Sequence, residues 1–371
     1  MNAIAVRSEA PVLIMAGGTG GHVFPALAVA QSLARRGVPV VWLGTRAGLE
    51  SRVVPAAGFP VCWVRVQGLR GKGWRRRLGA PFMLLGGLAE ALAALARLRP
   101  RSVLGMGGFV AGPGGLAAWL LRRPLLIHEQ NAVAGFTNRL LAPLARCVLT
   151  AFPASFPGHP RARLTGNPVR PEITAVPPPE QRLAGRTGPV RLLVLGGSLG
   201  AEAINTLLPE WLAGLPPAQR PEVRHQAGRA HCDRTRARYQ AAGVRAKVEP
   251  FIEDMAAAYG WADLVLCRAG ALTLAELCAA GVGSILVPYP HAVDDHQSRN
   301  AAYLAQAGAA RVLPQAGLDA AQLATVLGPL LQDAGQRLAM ARAARRLGRP
   351  QATDEVAQLC LDVAEGYRCR H

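Results

Sequence analysis

No Cys-x-x-Cys pair, no Gly-Lys-Ser or Gly-Lys-Thr loop and few aromatic rings occur in this chain. The seven cysteines are Cys62, Cys147, Cys232, Cys267, Cys278, Cys360 and Cys369. Odd in number and widely spaced, they read as reduced, mostly buried thiols of a cytosolic protein. Without the Gly-Lys-[Ser/Thr] ending, no loop here is a Walker A loop. Aromatic residues make up 5% of the chain, so the interleaving of rings and cations that marks a nucleic-acid patch is sparse. Acids are also scarce: 23 against 42 lysines and arginines, a net charge of +19. That imbalance points to an anionic partner: nucleic acid, an acidic membrane or a phosphorylated substrate. Residues Met1 to Ala10 have no long apolar region, unlike a signal peptide. Leu78 to Ala96 is apolar apart from Glu90. Pro81, the Gly86-Gly87 pair and its many alanines favour a helix of a soluble domain over a membrane span.

What is present is a repeated strand–loop–helix pattern. The 371 residues suggest two domains, and half of them are hydrophobic, so the chain is globular. Val12 to Ala16 reads as a buried strand and Phe24 to Arg36 as a helix, with Pro25 in its first turn and Gly37 at its end. Further strands are expected at Val38 to Leu43, Val61 to Val64, Ser102 to Gly105, Pro124 to His128 and Cys147 to Thr150. A stiff linker is expected from Pro168 to Gly188, around Val176-Pro177-Pro178-Pro179. The pattern then restarts with Val190 to Leu195, the loop Gly196-Gly197-Ser198-Leu199-Gly200 and a helix from Ala201. Strands follow at Glu222 to Gln226, Lys247 to Glu249, Leu264 to Cys267 and Ser284 to Val287, and Thr353 to Tyr367 reads as a helix. The class is α/β, with two Rossmann-like halves.

Several strings carry chemistry. Gly17-Gly18-Thr19-Gly20-Gly21-His22 stands between a strand and a helix, where glycine N–H groups and the helix dipole can hold an anion. The same dipole disfavours a protonated imidazole at His22, which makes it a candidate general base. A dinucleotide loop read from Gly18 wants glycine where Val23 stands, and Gly44-Thr45-Arg46 offers no acid for a ribose. The competing reading is a tight turn with a structural histidine. Glu276, early in the helix after Arg268-Ala269-Gly270, can accept both hydroxyls of a ribose, or it can simply complement the helix dipole. Asn131 follows a buried strand and suits a sugar, Arg170 can fork onto a diphosphate, and Gln297 and Asn300 suit a neutral polyol. The loop His291 to Asn300 contains no Asp-x-Asp, so no metal is expected there. Trp74, Leu78 and Phe82, beside Arg75-Arg76-Arg77, fall at helical spacing and suit the surface of an anionic bilayer, with a nucleic-acid patch or a solvated loop with a core-facing stripe as the competing readings.

Together these strings resemble the MurG family, the UDP-N-acetylglucosamine:undecaprenyl-pyrophosphoryl-MurNAc-pentapeptide N-acetylglucosaminyltransferases of bacterial peptidoglycan synthesis. The matching strings are the Gly17 to His22 loop, Gly105-Met106-Gly107-Gly108, His128-Glu129-Gln130-Asn131-Ala132, Thr165 to Arg170, Gly196-Gly197-Ser198, Phe251 to Met255, Arg268 to Thr273 and Asp295-His296-Gln297. They run in order over nearly the whole chain. The resemblance implies a GT-B fold of two Rossmann-like domains facing a central cleft. It divides the chain into 1–170 for the acceptor and membrane, 171–350 for UDP-GlcNAc, and a helix at 351–371 packing back on the first domain. It implies an inverting transfer of GlcNAc to the C4 hydroxyl of MurNAc on lipid I, giving lipid II and UDP, without a cofactor or an obligatory metal. Partners would be UDP-GlcNAc, lipid I and the anionic cytoplasmic face of the inner membrane, bound peripherally, with no nucleic acid. Thr19, Gly20, Gly21, Asn131, Arg170, Ser198, Ile252, Ala271, Leu272, Thr273, Leu274, Ala275, Glu276 and Gln297 would contact the donor, Ile252 at the uracil, and His22 would be the base. Phe109 stands where the family commonly has tyrosine, and Leu199 replaces a frequent polar residue. A UDP-GlcNAc 2-epimerase and a nucleic-acid-binding protein are the alternatives.

Overall fold

The computed structural model describes residues 10–66, 74–197 and 200–369; the side chains of residues 74–82 and of Val293 lie outside that description. Contacts divide the chain into two units, Met1–Pro168 with Gln351–His371, and Val169–Pro350.

The first unit holds β1 (Val12–Met15), β2 (Val40–Gly44), β3 (Val61–Trp63), β4 (Ser102–Gly105), β5 (Leu125–Glu129), β6 (Cys147–Thr150) and β7 (Ala162–Leu164). They form one sheet in the order β3-β2-β1-β4-β5-β6-β7, with every pairing parallel. The inner strands are buried on both faces, which is why they read as unbroken apolar runs. The strand order reverses between β1 and β4, so the loops after these two strands open at a switch point, where such sheets bind ligands. The last helix, Ala352–Ala364, sends Val356, Ala357, Leu359, Cys360 and Val363 into the core beneath β1 and the helix Gly20–Arg35. Asp354 accepts a 2.6 Å hydrogen bond from Ser32 Oγ at the same seam.

The second unit holds β8 (Arg191–Leu195), β9 (Glu222–Gln226), β10 (Ala246–Glu249), β11 (Leu264–Cys267), β12 (Ser284–Leu286) and β13 (Ala310–Val312). Its parallel sheet runs β10-β9-β8-β11-β12-β13, with the switch point between β8 and β11. Both units are thus Rossmann-like.

Four details depart from the sequence reading. The first helix begins at Gly20 rather than Phe24, because Thr19 O already accepts from His22 N and Val23 N at 3.1 and 3.2 Å. Pro25 therefore sits inside the helix. The expected linker carries two short helices, Pro171–Thr174 and Pro179–Leu183, each started by proline. Arg182 ties it to the second unit, donating to Gly281 O at 2.7 Å and to Ala262 O. β7 and β13 escaped the pattern because each is a three-residue edge strand. Finally, not all cysteines are free thiols: Cys147 on β6 and Cys369 are joined, across 222 residues. Spacing cannot show such a pairing, which depends on the last helix returning the chain end to β6.

Candidate functional site

At the first switch point, the loop after β1 is held from below by Glu50. Its buried carboxylate accepts from Gly18 N (2.9 Å), Thr45 N (3.1 Å) and Thr45 Oγ1 (2.7 Å). The sequence reading missed Glu50, and it changes the meaning of the loop. The Gly18 amide already serves an internal carboxylate, which leaves only the stretch from Thr19 to Gly21 open to an external ligand. Thr19 and Gly21 are exposed, and His22 is half-buried in the first helical turn.

The loop after β4 backs this arrangement. Gly107 has φ +95°, and a Cβ there would lie 2.7 Å from His22 Nδ1. Gly108, with φ +83°, packs on the backbone of Gly17. These glycines let two loops and an imidazole come together where any side chain would intrude. From the end of β5, Gln130 reaches the same place: its Oε1 lies 3.0 Å from His22 Nδ1, and its Nε2 donates to Met106 O at 2.9 Å. His128 is fully buried between Gln130 and Gly166 O, and burial pushes its pKa down to about 4. Asn131 is set by Glu129, whose Oε1 accepts from the Asn131 backbone N–H at 3.1 Å and from its side-chain amide at 3.3 Å.

At the second switch point, Gly196 lets the loop after β8 pass close to Ala201 N and Gln226 O, and Gly197 and Gly200 have positive φ. Ser198 and Leu199 lie outside the described residues. After β11, Gly270 starts the helix Ala271–Ala280, and Gly281 in the left-handed region ends it. Ala271, Leu272, Thr273, Leu274 and Ala275 fill its first turns. Glu276 is the sixth helical residue, past the first turn, so complementing the helix dipole does not account for it. It is buried: Tyr259 Oη donates to Oε2 at 3.0 Å, and Arg170 Nη2 donates to Oε1 at 3.2 Å. Burial pushes its carboxyl above the usual range, and the Arg170 guanidinium and the Tyr259 hydroxyl pull it partly back. Tyr259 was also missed by the sequence reading.

Other expected ligands are already engaged. Gln297 Oε1 accepts from Ala269 N (3.2 Å) and Tyr289 N (2.9 Å), which ties the loop after β12 to the turn before Glu276. Only the amide nitrogen end remains for a polyol. Asn300 is fully buried and donates to Ala269 O, so it does not face a ligand as expected. Ile252 gives its N–H to Gln226 Oε1 at 3.2 Å, and its side chain is buried. The expected apolar face and backbone donor at Ile252 are therefore both occupied, leaving its carbonyl. Among the described residues, no group of three or more His, Cys, Asp or Glu is placed to hold a metal ion.

Residues 12–150 match the model of the glycosyltransferase family 28 N-terminal domain, and residues 191–356 that of its C-terminal domain. The chain belongs to glycosyltransferase family 28. Relatives of this family 28 chain include two proteins named UDP-N-acetylglucosamine–N-acetylmuramyl-(pentapeptide) pyrophosphoryl-undecaprenol N-acetylglucosamine transferase. The one from Alkalilimnicola ehrlichii is 61% identical over 95% of this chain and 99% of its own. The one from Marinobacter nauticus is 56% identical over 95% of this chain and 98% of its own. The solved structure of Acinetobacter baumannii MurG is 43% identical, covers 95% of this chain and 99% of its own, and superposes with a TM-score of 0.82. Family membership makes the chain a glycosyltransferase, which sets aside the epimerase and the non-enzymatic nucleic-acid-binding alternatives. In family 28 terms, the C-terminal match extends past Pro350 into the helix that packs in the first unit.

Proposed function

We propose that this family 28 chain transfers GlcNAc from UDP-GlcNAc to the C4 hydroxyl of MurNAc in undecaprenyl-pyrophosphoryl-MurNAc-pentapeptide, with inversion, releasing UDP. The names of its relatives support the donor and the acceptor class. The observation that carries the chemistry is the division of labour between the switch points: an imidazole on one, a buried carboxylate with an arginine on the other.

In this reading the C4 oxygen attacks the anomeric carbon while the bond to the β-phosphate oxygen breaks. His22 takes the hydroxyl proton, and UDP leaves with the bonding electrons. A single displacement inverts the configuration. Glu276 accepts from the ribose hydroxyls. The Arg170 guanidinium uses one donor on Glu276 and keeps others for the diphosphate. The N-terminus of the helix Ala271–Ala280 adds positive potential. Thr19, Gly20, Gly21, Asn131, Ser198, Ile252 and Gln297 complete the donor and sugar contacts.

The acceptor is a lipid, and the first unit carries a surface suited to one. Leu85, Trp119, Leu120, Phe136 and Leu140 are all exposed, as are Arg122 and Arg139. Their helices, Trp74–Leu98, Ala111–Leu120 and Phe136–Leu141, pack side by side. Apolar groups flanked by arginines suit peripheral binding to an anionic cytoplasmic leaflet. The side chains of Trp74, Leu78 and Phe82, expected at this edge, lie outside the described residues. Among the described residues, no helix is long and apolar enough to cross a membrane.

The test is transfer of labelled GlcNAc to lipid I held in anionic vesicles. A β1→4-linked lipid product, formed also in the presence of a chelator, is expected. Folded, UDP-binding protein that yields no lipid-linked product overturns the reading.

A further inference from the structure

The amide of Gln130 touches two histidines, and one arrangement of hydrogens satisfies its shortest contacts, the longer 3.4 Å approach of Nε2 to His128 O sharing a hydrogen. Met106 O lies 2.9 Å from its Nε2, and a carbonyl has no hydrogen to give, so the amide nitrogen must face it. His128 Nε2 lies 2.9 Å from Gly166 O and must therefore carry a hydrogen. Burial keeps the His128 ring neutral, so its Nδ1 is a lone pair that accepts from Gln130 Nε2 at 3.2 Å. Both amide hydrogens are then used. The Gln130 carbonyl is left for His22, and at 3.0 Å the His22 Nδ1 must be the donor. In a neutral ring, the lone pair then sits on Nε2.

We propose that Gln130 is a positioning residue that fixes His22 as the Nδ1–H tautomer, so that Nε2 is the nitrogen presented to the acceptor hydroxyl. The proposal rests on the reading of His22 as the base. A free imidazole side chain favours the opposite tautomer, so the protein has to impose this one. Gly107 helps: a Cβ there would lie 2.7 Å from Nδ1 and 2.8 Å from Cε1 of His22, so only a bare backbone lets the ring keep its place against Gln130. A carboxylate in the position of Gln130 would also orient the ring, but it would favour the imidazolium. The amide sets the tautomer without adding charge. The Gln130 side chain is itself held by His128 and the Met106 carbonyl, and its backbone carbonyl accepts from Asn167 Nδ2 at 3.0 Å. The string His128-Glu129-Gln130-Asn131 thus does more than offer Asn131 to a sugar.

The test is the 15N spectrum of the full chain labelled at histidine, with the His22 signals assigned by their loss in His22→Gln and read where the ring is neutral. Wild-type protein is expected to show a pyrrole-type Nδ1 and a pyridine-type Nε2. In Gln130→Met, a similar shape with no donor and only a weak thioether acceptor, the signals should move towards the opposite tautomer. Its kcat should fall by at least about tenfold, within the ~10²–10⁴-fold contribution of a general base, while KM for UDP-GlcNAc stays within about twofold. A wild-type His22 with its hydrogen on Nε2 overturns the proposal, and that measurement needs no variant to fold. Unchanged His22 signals in folded Gln130→Met overturn it as well. Signals that shift with kcat unchanged uphold Gln130's hold on the tautomer and overturn the reading of His22 as the base.

Discussion

The two switch points are built from opposite materials. In the first unit, His22, Gln130 and His128 form a network of imidazoles and an amide, and the carboxylates of Glu50 and Glu129 face inward onto backbone N–H groups and neutral side chains. In the second, a carboxylate, a guanidinium and a phenol meet directly at Glu276. The difference follows from the partners proposed for each. Deprotonating a sugar hydroxyl needs an unprotonated base, and a cation beside it would hold the proton off while an anion would favour the imidazolium. Holding a nucleotide diphosphate needs fixed charge, and its ribose needs an acceptor stronger than an amide. Each sheet supplies the same geometry, loops at a switch point, and the side chains decide which chemistry it serves.

The sharpest way to break this comparison is to remove the imidazole. His22→Ala should lower turnover by ~10²–10⁴-fold, the usual contribution of a general base. UDP affinity should stay within about twofold, because most of the residues proposed to hold the nucleotide lie in the other unit. Turnover at saturating substrates and UDP calorimetry on one preparation decide the matter. If affinity falls and turnover does not, His22 is a hydrogen-bond donor to the donor substrate and the contrast between the units is lost.

Glu276→Ala tests the other side. A hydrogen bond to a charged group contributes roughly 1.5–3 kcal/mol, so UDP affinity should fall at least about tenfold. The deletion also frees Arg170 from its 3.2 Å partner, which could strengthen a phosphate contact and partly offset the loss. Comparing UDP with uridine separates the two: uridine, without phosphate, should show the full loss. Equal uridine affinity in wild type and variant removes the ribose role from Glu276.

Much of this was legible in the sequence, for identifiable reasons. Inner parallel strands are apolar on both faces, so Val12 to Met15 and Leu264 to Cys267 stand out as runs. His22 and Glu276 stand out because a titratable group follows a buried strand and a glycine turn. The helix start at Gly20 did not, because glycine is a poor helix former, although in a first turn its N–H would lack a helical partner anyway. Gln130, Glu50 and Tyr259 were hidden for another reason. Each acts through contacts with residues far away in sequence: Gln130 and His22 are 108 positions apart, Glu50 and Gly18 32. A polar residue in a string shows that it can donate or accept, and only the fold shows to whom.

Tyr259→Phe gives the smallest effect and the finest test of the contrast. The hydroxyl is fully buried and donates to Glu276 Oε2 at 3.0 Å, so its loss leaves the carboxylate with Arg170 alone. The hydroxyl acts on the ribose only through the carboxylate, so UDP affinity should fall by less than in Glu276→Ala, under about tenfold. The sign of the pH effect is fixed as well. Tyr259 lowers the Glu276 pKa by stabilising its charged form, against burial, which raises it. Without the hydroxyl, Glu276 takes up a proton at higher pH, and the neutral acid accepts a ribose less well. The acid limb of UDP binding should therefore move to higher pH in Tyr259→Phe, while the acid limb of base-dependent turnover, governed in the other unit, stays in place. An unmoved binding limb would mean that Arg170 alone keeps Glu276 charged, and that the phenol contributes packing and nothing more.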